Sequence, residues 1–74
     1  MRLKELREQN DYKQDFLANY LGVKQNAYSQ YETGKRQIPI YALIKLAQLY
    51  EVSVDYILEL TDEETPYPPA NAKK

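Results

Sequence analysis

Between Lys24 and Arg36 the chain carries three amide side chains, Gln25, Asn26 and Gln30, at spacings that a helix gathers onto one side. At about 100° per residue, they share an arc with Ser29 and Thr33, while Ala27, Tyr28 and Tyr31 share the opposite one. Each amide offers a donor and an acceptor in one plane, the pair needed to grip adenine N6 and N7 together in a DNA major groove. A helix face that only meets solvent normally mixes lysine with glutamate, for solubility and for pairing four residues apart. This face has almost no charge. A neutral solvated surface is the competing explanation for the same residues.

Such a helix needs elements that hold it and turn its amides outward. The segment before it, about residues 14 to 21, lines up Leu17, Ala18 and Leu21 as an inner stripe. Gly22 then stands where a helix C-terminus favours a left-handed residue, which glycine adopts without a Cβ penalty. The Leu21-Gly22-Val23 bend therefore lets the amide helix, about 25 to 32, leave at a steep angle. Gln14 falls in the first turn of the earlier helix, where free N–H groups and the positive end of the dipole attract phosphate, so it is a candidate backbone clamp. Gly34 stops the amide helix, and Lys35-Arg36-Gln37 form a basic loop.

Three more helices complete the pattern. One spans about 2 to 9 on Leu3 and Leu6 and is broken by Asn10 and Asp11, which tolerate left-handed geometry. Pro39 admits another over about 40 to 50, and Ser53 caps a last one over about 54 to 59 with Asp55 in its first turn. The helix at 40 to 50 has only Lys45 and Gln48 as polar members, so it is either central to the core or in contact with a partner; the core is the stronger expectation. Its residual apolar side at Tyr41 and Ile44, with Ile57, Leu58 and Leu60 beyond it, is the candidate self-association surface. Phe16 and Tyr20, four residues apart, are expected to stack on each other or on Tyr12, with an exposed partner patch as the alternative. Residues 61–74 hold three prolines and no apolar period. A domain over 1–60 and a disordered tail over 61–74 are expected.

Composition narrows the function. A chain of 74 residues suits one small domain that buries about 60% of its unfolded surface, leaving no room for a second ligand-sensing or catalytic domain and no expected small-molecule ligand. It contains no cysteine and no histidine, which removes zinc fingers, disulfides and the commonest metal and acid–base ligands. No metal or cofactor is expected, and without a nucleophile–base pair, no catalysis. No signal peptide or membrane span is visible, so a cytoplasmic protein is expected. The net charge is −1, but residues 1–36 hold seven basic and five acidic side chains and residues 37–74 three basic and six acidic. The +2 half would approach phosphates and the −3 half face away, although an acidic tail is common without any function.

Five segments in register, RLKELRE, KQDFLANYLGV, KQNAYSQYETGKR, a proline-containing turn and LIKLAQLYEVSVDYIL, resemble the phage-repressor and Cro-like helix-turn-helix family, also called the xenobiotic-response-element family of bacterial and phage regulators. The resemblance covers roughly residues 1 to 60. It implies an all-α, compact five-helix, lambda-repressor-like DNA-binding domain whose second and third helices form the helix-turn-helix. It also implies a sequence-specific transcriptional regulator, expected to be a repressor, bound to double-stranded DNA as a homodimer on an inverted-repeat operator. Gln25, Asn26 and Gln30, with Ser29, would face base edges. Gln14, Lys35, Arg36 and Thr33 would meet the sugar-phosphate backbone, and Arg7 would pair with Glu32. Lys13 and Lys24 depart from the family, which usually begins both helices with Thr or Ser; Lys24 is therefore a candidate phosphate contact, or else a neighbour or water caps its helix. Phe16 departs too, replacing a polar residue. Alternatives in function are a restriction-modification controller or an antitoxin repressing its own operon, and, in another class, a helical protein–protein adaptor that has lost the DNA face.

Overall fold

The computed structural model describes residues 1–66, and these form five helices: α1 (Leu3–Gln9), α2 (Gln14–Leu21), α3 (Gln25–Thr33), α4 (Ile40–Tyr50) and α5 (Val54–Ile57). Each contributes one apolar stripe to a single core. Leu3 and Leu6 come from α1, Leu17, Ala18 and Leu21 from α2, and Tyr28 and Tyr31 from α3. From α4 come Ala42, Leu43, Leu46 and Ala47, with Ile57 from α5. The spacings of three and four residues are those that bring side chains above one another on a helix. α4 lies in the core, as its composition implies, yet not on all sides: Ile40, Tyr41 and Ile44 at its start are 74%, 50% and 46% exposed.

The helix ends follow a repeated device. After α1, α2, α4 and α5 the chain steps into the left-handed region at Asp11, Gly22, Glu51 and Glu59, with φ between 57° and 73°. In each case that residue's N–H bonds back three residues and the following N–H bonds back five, for example Gly22 to Asn19 at 3.1 Å and Val23 to Ala18 at 2.9 Å. These paired bonds satisfy carbonyls the last turn leaves open. At Asp11, Glu51 and Glu59 the conformation carries a Cβ penalty of about 1–2 kcal/mol, which the paired bonds help offset. α3 differs. Gly34, at φ 82°, bonds to Tyr31, but the next bond to Gln30 comes from the N–H of Arg36 at 3.3 Å rather than from Lys35.

At the N-termini, Ser53 accepts from the Tyr56 N–H at 2.9 Å and so caps α5, as its residue type leads one to expect. Lys13 and Lys24 precede α2 and α3 with no side-chain cap bond. An aromatic row braces the outside of α2: Phe16 lies 4.8 Å from the Tyr12 ring and 6.5 Å from Tyr20, so both expected stacking partners are used at once. Tyr20 and Lys45 then clasp α2 to α4. The Lys45 ammonium donates to the Tyr20 carbonyl at 2.9 Å while the Tyr20 hydroxyl donates to the Lys45 carbonyl at 3.1 Å.

Three expectations change. α5 ends at Ile57 rather than near residue 59, because Glu59 turns left-handed and its N–H bonds to the Tyr56 carbonyl. Ile57, expected on the self-association surface, is fully buried; its carbonyl accepts from the Arg2 N–H at 2.8 Å, which pulls the helix against the start of α1. Finally, the segment expected as a disordered tail begins with defined bonds. The Ser53 N–H donates to the Glu64 carbonyl at 2.9 Å and Arg2 donates to Asp62 at 2.8 Å. Ser53 is itself buried, so its backbone donor needs a protein acceptor. Residues 67–74, the rest of that segment, lie outside the described residues.

Candidate nucleic-acid interface

α3 is fixed from behind by two tyrosines. Tyr28 and Tyr31 are buried and meet edge to face, with centroids 6.4 Å apart and planes at 83°. With these on the inside, the 3.6-residue period turns Gln25, Asn26 and Thr33 to solvent and leaves Ser29 and Gln30 half-buried at the margin. Lys24 before the helix and Lys35 and Arg36 after it are all exposed. The structure thus gathers five uncharged polar side chains on one side of α3 and places cations at both ends.

Gln14 is engaged elsewhere. Its amide donates to Glu32 Oε1 at 3.1 Å, joining a bidentate ion pair in which Arg7 Nε meets Glu32 Oε2 at 2.7 Å and Arg7 Nη2 meets Oε1 at 3.3 Å. The Glu32 side chain is only 4% exposed. Burial pushes its carboxyl upward, but Arg7 above all, then the Tyr28 hydroxyl and the Gln14 amide beside it, outweigh that push, and Glu32 is held below its ordinary value. The network therefore ties α1 and the start of α2 to the last turn of α3 at one point. Arg7 also donates to the Tyr12 carbonyl at 3.3 Å.

Two contacts are absent from the residue-by-residue expectations. Gln14 and Glu32 are 18 residues apart, and no local pattern announces their bond. Arg36, expected only against the DNA backbone, donates from Nε to Gln30 Oε1 at 3.0 Å. A signal for it was present: the left-handed Gly34 four residues after Gln30 reverses the chain and carries Arg36 back over the helix end.

The open start of α3 leads to a test. Lys24→Ser supplies the missing hydroxyl acceptor and should stabilise the domain by about 0.5–1 kcal/mol, raising the melting temperature by about 2–8 °C in a domain of this size. The same change should lower DNA affinity and reduce the salt-dependence slope by about one unit per half-site. Affinity and slope both unchanged would show that Lys24 lies away from the phosphates.

Two helices joined through a single left-handed glycine, the second showing an uncharged polar face between cations, define a helix-turn-helix unit. A family model described as helix-turn-helix matches residues 3–57, and the chain belongs to that family, the phage-repressor and Cro-like regulators. The uncharacterized HTH-type transcriptional regulator YobD of Bacillus subtilis (strain 168) is 42% identical over 65 residues, covering 88% of this chain and 58% of its own. The SPbeta prophage-derived uncharacterized HTH-type transcriptional regulator YonR of the same organism is 37% identical over 60 residues, covering 81% and 56%. The HTH-type transcriptional regulator ImmR, again from Bacillus subtilis (strain 168), is 42% identical over 57 residues, covering 77% and 45%. The chain spans about half the length of the curated relatives it matches. No solved structure is a significant match. The relatives named above are all described as HTH-type transcriptional regulators. Among the described residues, no helix is long and apolar enough to cross a membrane.

Proposed function

We propose that this chain is a sequence-specific transcriptional repressor in the cytoplasm that lays α3 in the major groove of double-stranded DNA. The observation that carries this is the amide face of α3, held outward by the buried Tyr28 and Tyr31 and flanked by Lys24, Lys35 and Arg36. Gln25, Asn26 and Gln30, with Ser29, read base edges; Lys24, Lys35, Arg36 and Thr33 meet phosphates. Gln14 contributes through its second N–H, the first being given to Glu32. One recognition helix covers too few base pairs to be selective, so the working unit is a homodimer on an inverted repeat with half-site centres about 10 bp, or roughly 34 Å, apart. The exposed Tyr41, Ile44 and Leu60, with the half-buried Leu58, supply apolar surface for that association.

Selecting bound fragments from random duplex DNA identifies the cognate site, after which two kinds of variant separate base reading from attraction. Gln25→Ala should cut the preference for cognate over scrambled duplex roughly tenfold, since a bidentate amide–adenine contact contributes about 1–3 kcal/mol of discrimination. Lys35→Ala should weaken both duplexes alike and flatten the salt dependence, because phosphate contacts position without specifying. If both variants lose affinity in the same pattern, α3 does not read bases.

A further inference from the structure

We infer that Arg36 is a positioning residue for base recognition: it holds the Gln30 amide so that its NH₂ group faces outward, which makes Gln30 select an acceptor-only base edge, guanine foremost, instead of adenine. This rests on the proposal that α3 reads the major groove. Three bonds converge on residue 30. Arg36 Nε donates to its side-chain oxygen at 3.0 Å, the Arg36 N–H donates to its carbonyl at 3.3 Å, and the Thr33 hydroxyl donates to that same carbonyl at 3.3 Å. The unusual closure of α3 is what makes this possible. The other four helices bond back to the carbonyl five residues earlier; α3 bonds one residue later, and the longer turn through Gly34 brings Arg36 alongside Gln30.

The chemistry of the pair fixes which way the amide faces. A guanidinium has five donors and no acceptor, so only the oxygen of the amide can turn toward it. An amide free to rotate would grip adenine by accepting from N6 and donating to N7. Here the oxygen already accepts from Arg36, so adenine N6 would have to share it, while the two N–H donors of the amide remain for a base edge. Guanine presents two adjacent acceptors, N7 and O6, and no donor at that edge, which matches them. An adenine grip requires sharing or breaking a charge-assisted bond, of the stronger kind.

The test compares base preferences, position by position, for the unaltered protein, Gln30→Ala and Arg36→Lys, each selected against a randomised duplex library, with affinity for scrambled DNA and its salt slope measured alongside. Lysine keeps the positive charge for phosphates but, as a flexible point charge, does not reproduce the guanidinium geometry. The unaltered protein should prefer guanine at one base pair of each half-site, and Gln30→Ala should flatten the preference at that pair. Arg36→Lys should move that pair from guanine toward adenine by about tenfold, within the range of one bidentate contact; any loss of phosphate contact at residue 36 lowers cognate and scrambled affinity alike and leaves this ratio between bases untouched. A base pair flattened by Gln30→Ala but unmoved by Arg36→Lys, or one that prefers adenine in the unaltered protein, overturns the inference alone. If Gln30→Ala flattens no base pair, the inference falls together with Gln30's place in base reading.

Discussion

Arg7→Ala is expected to destabilise the domain by about 3–5 kcal/mol, the usual consequence of leaving a buried charge without its partner. Small domains start near the lower end of the common 5–15 kcal/mol range, so the variant should be largely unfolded or close to it by urea titration at neutral pH. The loss comes from stranding Glu32, which is almost fully enclosed. Arg7→Met combined with Glu32→Leu should therefore recover most of the stability. Acid tells the same story with a definite sign. Glu32 binds a proton less readily in the folded state than in the unfolded one, so its contribution is complete above the ordinary carboxylate range, about 4, and is lost as pH falls through the lower folded value. In Arg7→Ala the upward push of burial loses its main opponent, so acid no longer removes stability through Glu32, and the gap in stability between the two proteins should narrow as pH falls below the carboxylate range. Identical acid limbs in the two proteins would rule out Glu32 as the group responsible.

Tyr28 has the second large effect, and its direction depends on the replacement. Tyr28→Ala removes a fully buried ring from the inner side of α3 and should cost about 3–5 kcal/mol, taking DNA binding with it. Tyr28→Phe should leave the melting temperature unchanged or raise it. The hydroxyl is buried beside the Glu32 carboxylate but makes no hydrogen bond of full geometry with it, and a poorly satisfied buried polar group costs up to about 1–3 kcal/mol. Burial first, and the nearby Glu32 carboxylate after it, also push the phenol well above its ordinary pKa. A loss of more than about 1 kcal/mol in Tyr28→Phe would mean that the hydroxyl supports Glu32 after all.

What could be read in the sequence was local. Gly22, Gly34, Ser53 and the apolar spacings of α2, α3 and α4 each act within one or two turns, and the helices lie where these residues place them. The Arg7–Glu32 pair came only from the family resemblance; nothing within either segment points to the other. Glu59 carries no left-handed preference, so the early end of α5 is set by tertiary packing around Ile57. Nor could Ile57 be assigned to the core or the surface, because a one-turn helix has too short a period to show a face. Gln14 shows the same limit in the site: its position at a helix start is a local fact, whereas its bond to Glu32 depends on how α2 and α3 are set against each other. Arg36 was intermediate, since the reversal at Gly34 was visible but the register of the return was not.

The backbone devices that end α1, α2, α4 and α5 reach back only three and five residues, and this bears on how the molecule forms. Each boundary can be laid down as soon as its own few residues collapse, before any distant segment arrives. Helical domains dominated by such near-neighbour contacts commonly fold in microseconds to milliseconds. At the other extreme, the bonds from Arg2 to Tyr56 and Asp62 span 54 and 60 positions. These should form late and part early, so that opening starts where α1 meets α5 while the helix-turn-helix is still assembled.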